Sequence, residues 1–126
     1  MSGNDGIVWY LRTHEEYVGS VVVLRLEGRV SSATSDDLAQ ALDRARSDGR
    51  RALVVDMTAV DYINGRGLSI LAAAAARFRA AGRELIACGL SPAVRTAFDL
   101  SDVAGRVTVE PSRDAALRRA TDLSGS

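Results

Sequence analysis

The strongest constraint on this chain is a repeated change in its hydrophobic period. "ALVV" at Ala52 to Val55 and "ELIAC" at Glu84 to Cys88 are short runs without polar alternation. Strands read this way when both faces are buried, as in a parallel sheet covered by helices. Between such runs the spacing turns helical. Leu38, Ala41, Leu42 and Ala45 stand at i, i+3, i+4 and i+7, one face of a helix. Parallel neighbours need a crossover of a dozen residues or more, and a helix of this length supplies it.

The remaining elements fall around this frame. Ile7 to Leu11 and Val21 to Leu26 are rich in β-branched and aromatic residues and flank the polar "THEEYVGS", so they read as a strand pair. Thr34 or Ser35 is placed to cap the first helix, Asp36 and Asp37 suit the positive end of its dipole, and Gly49 can end it. An Ala-rich helix is predicted from about Gly67 to Ala81, stopped by Gly82. Ser91-Pro92 opens a short helix through Leu100, "RVTVE" is a last strand, and Pro111 to Leu123 a last amphipathic helix. The order ββαβαβαβα is that of one α/β domain with a small mixed, mostly parallel sheet and right-handed crossovers. Residues 1–126 form that single domain, with unanchored tails expected at 1–5 and 123–126.

Charge and residue usage narrow the chemistry. Sixteen basic residues balance sixteen acidic ones, which argues against nucleic acid or an anionic membrane as partner. Every basic residue is Arg, so a P-loop lysine and Schiff-base chemistry are excluded. The lone Cys88 cannot form an internal disulfide and lies in an apolar strand, fitting a reducing, cytoplasmic setting. One His and one Cys do not make a soft-ligand metal site, and no metal or cofactor is expected. His14 reads as a solvated residue at a strand end. Asp56 and Asp61 can approach around a turn, where such carboxylates commonly accept from backbone amides. No convergent catalytic cluster emerges, and the chain reads as a non-enzyme.

What stands out is the corner "NGRG", Asn64 to Gly67, between an apolar run and the Ala-rich helix. Its glycines lack the spacing of a dinucleotide fingerprint. On the helix itself Leu68, Ile70, Leu71, Ala74, Ala75 and Phe78 gather on one side as the core face. The opposite side carries Ser69, Ala73, Ala76 and Ala80, flanked by Ala72 and Arg79. Small uncharged residues over three turns suit close approach by another protein, with the corner as one rim; Ala is also simply the best helix former.

"LRLEGRVSSATSDDLAQAL", "ALVVDMTAVDYINGRGLSIL" and "GRELIACGLSPAVRTAFDLSDV" resemble successive blocks of a STAS domain of the anti-sigma-factor antagonist kind, over roughly Val21 to Ala120. The resemblance implies a small sheet with helices packed mainly on one side. It also implies a partner, an anti-sigma factor of the histidine-kinase-like ATPase class. That kinase phosphorylates a serine at the N-terminus of the second helix and so ends the complex. Phosphate adds charge and bulk to a close-packed interface while sitting favourably at a helix N-terminus.

This chain departs from the family at that corner. Aligned through Gly67-Leu68, Asn64 replaces the usual Asp, Gly65 the phosphorylated serine and Arg66 the residue after it, while Ser31 stands for an Asp after the second strand. Expected partner contacts are Ser31, Ser32, Asn64, Gly65, Arg66, Gly67, Ser69, Ala72, Ala73 and Ala76. Ser69, Ser31 or Ser32 is a substitute acceptor to be tested. Arg66 is expected either to meet a partner carboxylate or to be solvated. The competing reading is a small-ligand or nucleotide sensor holding an anion on the amides of Gly65 to Leu68, or a scaffold for a different protein. A homodimer is left open.

Overall fold

The computed structural model describes residues 10–125. Within them the chain forms β1 (Leu11–Val18), β2 (Val21–Val30), α1 (Ser35–Ser47), β3 (Ala52–Ile63), α2 (Gly65–Ala80), β4 (Glu84–Cys88), α3 (Pro92–Leu100), β5 (Thr108–Glu110) and α4 (Arg113–Gly125). The strands lie in the sheet in chain order, β1 antiparallel to β2 and every other pair parallel. Each crossover from β2 onward therefore moves one strand in the same direction. Right-handed crossovers of that kind put their helices on one face, and α1, α2 and α3 share it.

The main core lies between that face and those helices, with Leu24, Leu26, Leu53, Val55 and Met57 meeting Leu38, Leu42, Leu71, Phe78 and Phe98. On the other face Val21, Val23, Val54, Ile86 and Cys88 are covered by Ala116, Leu117 and Ala120 of α4. Burial on both faces explains why "ALVV" and "ELIAC" lack alternation.

Polar contacts hold α4 in place at its N-terminus. Arg113 Nε donates to Asp56 Oδ2 at 3.0 Å, and Nη1 to Glu16 Oε1 at 3.0 Å. Asp56 also accepts from the Thr58 amide at 3.0 Å and hydroxyl at 2.6 Å. Burial pushes the Asp56 carboxyl up, but the Thr58 and Arg113 hydrogen bonds outweigh it and hold the group below its ordinary value. Hydrogen bonding to Arg113, and its charge, lower Glu16 as well.

Several sequence expectations need correcting. The first strand is not Ile7 to Leu11: it is Leu11–Val18, made largely of the stretch taken as a polar connection. A strand at the edge of a sheet tolerates that composition because much of it meets water. Ile7, Val8, Trp9 and the N-terminal tail lie outside the described residues. β3 runs to Ile63 rather than stopping at Val55, its second half pairing with β2 through Ala59, Val60, Tyr62 and Ile63. Mixed polarity there hid the strand. α4 is Arg113–Gly125, beginning and ending two residues later than the expected Pro111 to Leu123.

The helix ends follow local chemistry. Gly82 takes φ +73° after α2, and the Arg83 amide donates to the Phe78 carbonyl at 2.8 Å, closing a Schellman turn. Ser91 caps α3 as predicted, its Oγ accepting from the Val94 amide at 3.3 Å. Neither Thr34 nor Ser35 caps α1 by a side chain. Thr34 occupies the cap position, but its hydroxyl donates to the Arg29 carbonyl at 2.8 Å and accepts from the Ser31 amide at 2.9 Å.

Candidate functional site

β2 and β3 end side by side, Val30 opposite Ile63, and the Asn64 amide donates to the Val30 carbonyl at 2.9 Å. Two neighbouring parallel strands thus release their loops at one end of the sheet. That brings Ser31 and Ser32 beside the corner that opens α2. The Ser31 carbonyl accepts from the amides of Thr34 and Ser35, and its hydroxyl from the Ala33 amide at 3.3 Å. Ser32 is exposed.

Asn64 has extended backbone, and its Oδ1 accepts from the Gly67 amide at 2.8 Å. This is N-cap geometry, so α2 begins at Gly65, two residues before the predicted start. The two corner glycines have different reasons. A Cβ at Gly67 would lie 2.5 Å from Val30 Cγ1 and 2.9 Å from Ile63 Cγ1, so the first turn sits directly on the strand ends. A Cβ at Gly65 would meet nothing within 4 Å. Glycine at 65 is therefore not imposed by packing, and a hydroxyl-bearing side chain fits there.

Arg66 is neither unpaired nor simply solvated. Its Nε donates to Ser35 Oγ at 3.1 Å and its Nη2 to Asp36 Oδ1 at 3.1 Å. The pair stitches α2 to the first turn of α1 and brings to the corner a carboxylate that the linear alignment did not place there.

Along α2, Ser69, Ala73, Ala76 and Ala80 are exposed, as the helical wheel requires. Ala72 is buried at 7% exposure, which corrects its placement as a surface flank, and Ile70 is only partly buried. Beside this face runs a groove of about 390 Å³ between Ser69, Ala72, Ala73, Ala76 and Arg79 on α2 and Asp102, Val103 and Arg106 after α3. Arg79 Nη2 donates to the Arg106 carbonyl at 3.1 Å, and Arg106 lies 3.4 Å from Asp102. Sequence reasoning missed this second wall. Its one local signal was the i, i+4 spacing of Asp102 and Arg106.

The other singled-out groups do not join the corner. His14 is exposed on β1. Cys88 is fully buried, and burial, then the Asp56 charge, push its thiol up to about 12. Asp56 is taken by Thr58 and Arg113, while Asp61 is exposed. Among the described residues no three His, Cys, Asp or Glu side chains are grouped to hold a metal, and no helix is long and apolar enough to cross a membrane.

The family model for the STAS domain matches residues 14–116. BtrV of Bordetella bronchiseptica, whose name suggests an anti-sigma factor antagonist, is 32% identical over 99 residues, 79% of this chain and 85% of that protein. The anti-sigma-F factor antagonist RsfB of Mycobacterium tuberculosis is 34% identical over 73 residues, 58% of this chain and 57% of its own length. The crystal structure of an anti-sigma factor antagonist from Mycobacterium paratuberculosis superposes with a TM-score of 0.83 at 28% identity, covering 89% of this chain and 95% of that one. By this coverage and likeness, the chain belongs to the STAS domain family, among the anti-sigma factor antagonists.

Proposed function

We propose that this chain docks on an anti-sigma factor of the histidine-kinase-like ATPase class through the outward face of α2, and that no phosphorylation at position 65 interrupts the complex. The observation that carries the reading is the surface of α2: Gly65, Ser69, Ala73 and Ala76 are exposed and small, and they lead from an open corner along the groove. Such a face admits close backbone approach over a broad area with little side-chain ordering. Gly65 stands where the family's acceptor serine stands, and glycine offers the kinase no nucleophile.

Other features support a binding role over a catalytic one. Of the two carboxylates singled out in the sequence, Asp56 is committed to structure, sharing Arg113 with Glu16, and Asp61 is exposed apart from it. Arg66 is engaged within the chain by Ser35 and Asp36, so the partner meets the small residues of α2 rather than a free guanidinium. An anti-sigma partner places the protein in the cytoplasm.

The test is a binding titration between the purified chain and the anti-sigma factor from the same genome, with and without ATP. Wild type should bind equally in both, with unchanged intact mass. Ala73→Arg and Ser69→Asp should weaken binding at least ten-fold, because each forces a charge into a tight interface. Gly65→Ser should gain one phosphate in the presence of ATP and then dissociate. Absence of binding overturns the partner assignment. A phosphate appearing on wild-type Ser69, Ser31 or Ser32 overturns the unregulated complex.

A further inference from the structure

The sheet ends in two very unequal edges. β5 is three residues long, a protected edge of the usual kind. β1 is eight residues long and pairs with β2 in unbroken register from Leu11 opposite Gly28 to Val18 opposite Val21. It carries no proline and no bulge, and among the described residues no strand lies on its outer side. Among the described residues, three of the five exposed large hydrophobic side chains sit at its two ends: Tyr10, Tyr17 and Val18, at 41, 51 and 47% exposure.

We infer that β1 is a homodimer edge, pairing antiparallel with β1 of a second copy about a two-fold axis at His14. The chemistry of the strand selects this register. In a sheet continuous across a two-fold axis both copies keep the same face up, so the axis must pass where one residue faces its own copy. With the axis at His14, Arg12 faces Glu16 of the second copy and Thr13 faces Glu15. The exposed Tyr17 faces Leu11, and the exposed Tyr10 and Val18 cover one another. Every contact occurs twice.

Adjacent registers lose this complementarity. An axis at Glu15 opposes that carboxylate to itself and sets Arg12 against Val18. An axis at Thr13 opposes Arg12 to His14, Leu11 to Glu15 and Tyr10 to Glu16. Glu16 already accepts from Arg113, but its two oxygens have capacity for a second guanidinium. Because α2 packs over β3 and β4, this pairing leaves its outward face clear. The dimer would present two docking faces on one ten-stranded sheet.

Sedimentation over a concentration series tests the association, and single cysteines test the register. Wild type should approach twice the chain mass of 13.4 kDa, and Arg12→Glu should raise the dissociation constant about ten-fold by replacing two attractive pairs with two repulsive ones. Directly opposed residues have Cα atoms about 4.5–5.5 Å apart, within disulfide reach. Under a mild oxidant His14→Cys should therefore cross-link to a dimer. Arg12→Cys and Glu15→Cys should not, since their copies are displaced along the strand. The buried Cys88 does not compete. A monomer at the highest soluble concentration overturns the proposal, as does cross-linking of Arg12→Cys or Glu15→Cys as fast as His14→Cys.

Discussion

Replacing the two corner glycines by alanine, one at a time, isolates how the first turn of α2 is held. At Gly67 the added methyl would lie 2.5 Å from Val30 Cγ1 and 2.9 Å from Ile63 Cγ1. Both neighbours are buried β-branched side chains, at 0% and 4% exposure, with little freedom to turn away. Overpacking of this severity costs about 3 kcal/mol, and the better helix propensity of alanine returns about 1 kcal/mol. Gly67→Ala should therefore destabilise by about 2 kcal/mol. At Gly65 the methyl meets nothing, and loss of unfolded-state freedom should stabilise by about 0.5 kcal/mol. In a domain of this size 1 kcal/mol moves the melting temperature by about 4 °C. The two variants should then melt about 10 °C apart, with Gly65→Ala at or above wild type. Thermal unfolding followed by far-ultraviolet circular dichroism reads this directly. If Gly67→Ala melts together with Gly65→Ala, the first turn of α2 does not rest on the strand ends as described.

Further outcomes follow from the same contacts. Asn64→Ala removes the acceptor for the Gly67 amide and should cost about 1 kcal/mol, read as a fall of roughly 4 °C in the melting temperature. Glu16 and Asp56 are both lowered in the fold. Their stabilisation is present above the unfolded carboxylate values near pH 4 and is lost as pH falls through the folded values. Wild type should thus lose more stability than Arg113→Met between about pH 5 and pH 2 in urea titrations; parallel losses would refute the clamp. The Cys88 thiol, pushed up to about 12, should resist a disulfide reagent at neutral pH until urea unfolds the chain. Fast labelling of the native protein would show that α4 does not cover it.

The order of elements was legible because period and burial coincide in this fold. The two-faced burial of β3 and β4 wrote itself into "ALVV" and "ELIAC", and the α1 stripe of Leu38, Ala41, Leu42 and Ala45 is buried in the structure together with Ser35. What escaped were places where one strand serves two environments. β1 lies at an edge, and β3 leaves β4 after Asp56 and goes on beside β2 with mixed burial from Thr58, so neither carries a uniform pattern. At the site, the outward face of α2 at Ser69, Ala73, Ala76 and Ala80 was readable from helical spacing, whereas the Asn64 cap was hidden by a start placed two residues late and the room at 65 is a property of the packing around it. The Arg66 contacts to Ser35 and Asp36 span thirty or more residues, and the groove wall at Asp102 to Arg106 spans a similar distance. No local rule reports such pairs; they arise from the parallel pairing of β2 with β3 and the packing of the loop after α3 on α2.

The empty space around position 65 also bears on how such a protein changes over generations. One base separates two of the glycine codons from serine, and the fold raises no steric objection to the exchange. If serine at 65 is phosphorylated as the proposal expects, switchable and unswitchable forms are neighbours in sequence, and the space at this position lets a lineage cross between them in either direction without passing through an unfolded intermediate. Under the function proposed above, a choice between glycine and serine at this position would be made by the partner, since the architecture has room for either.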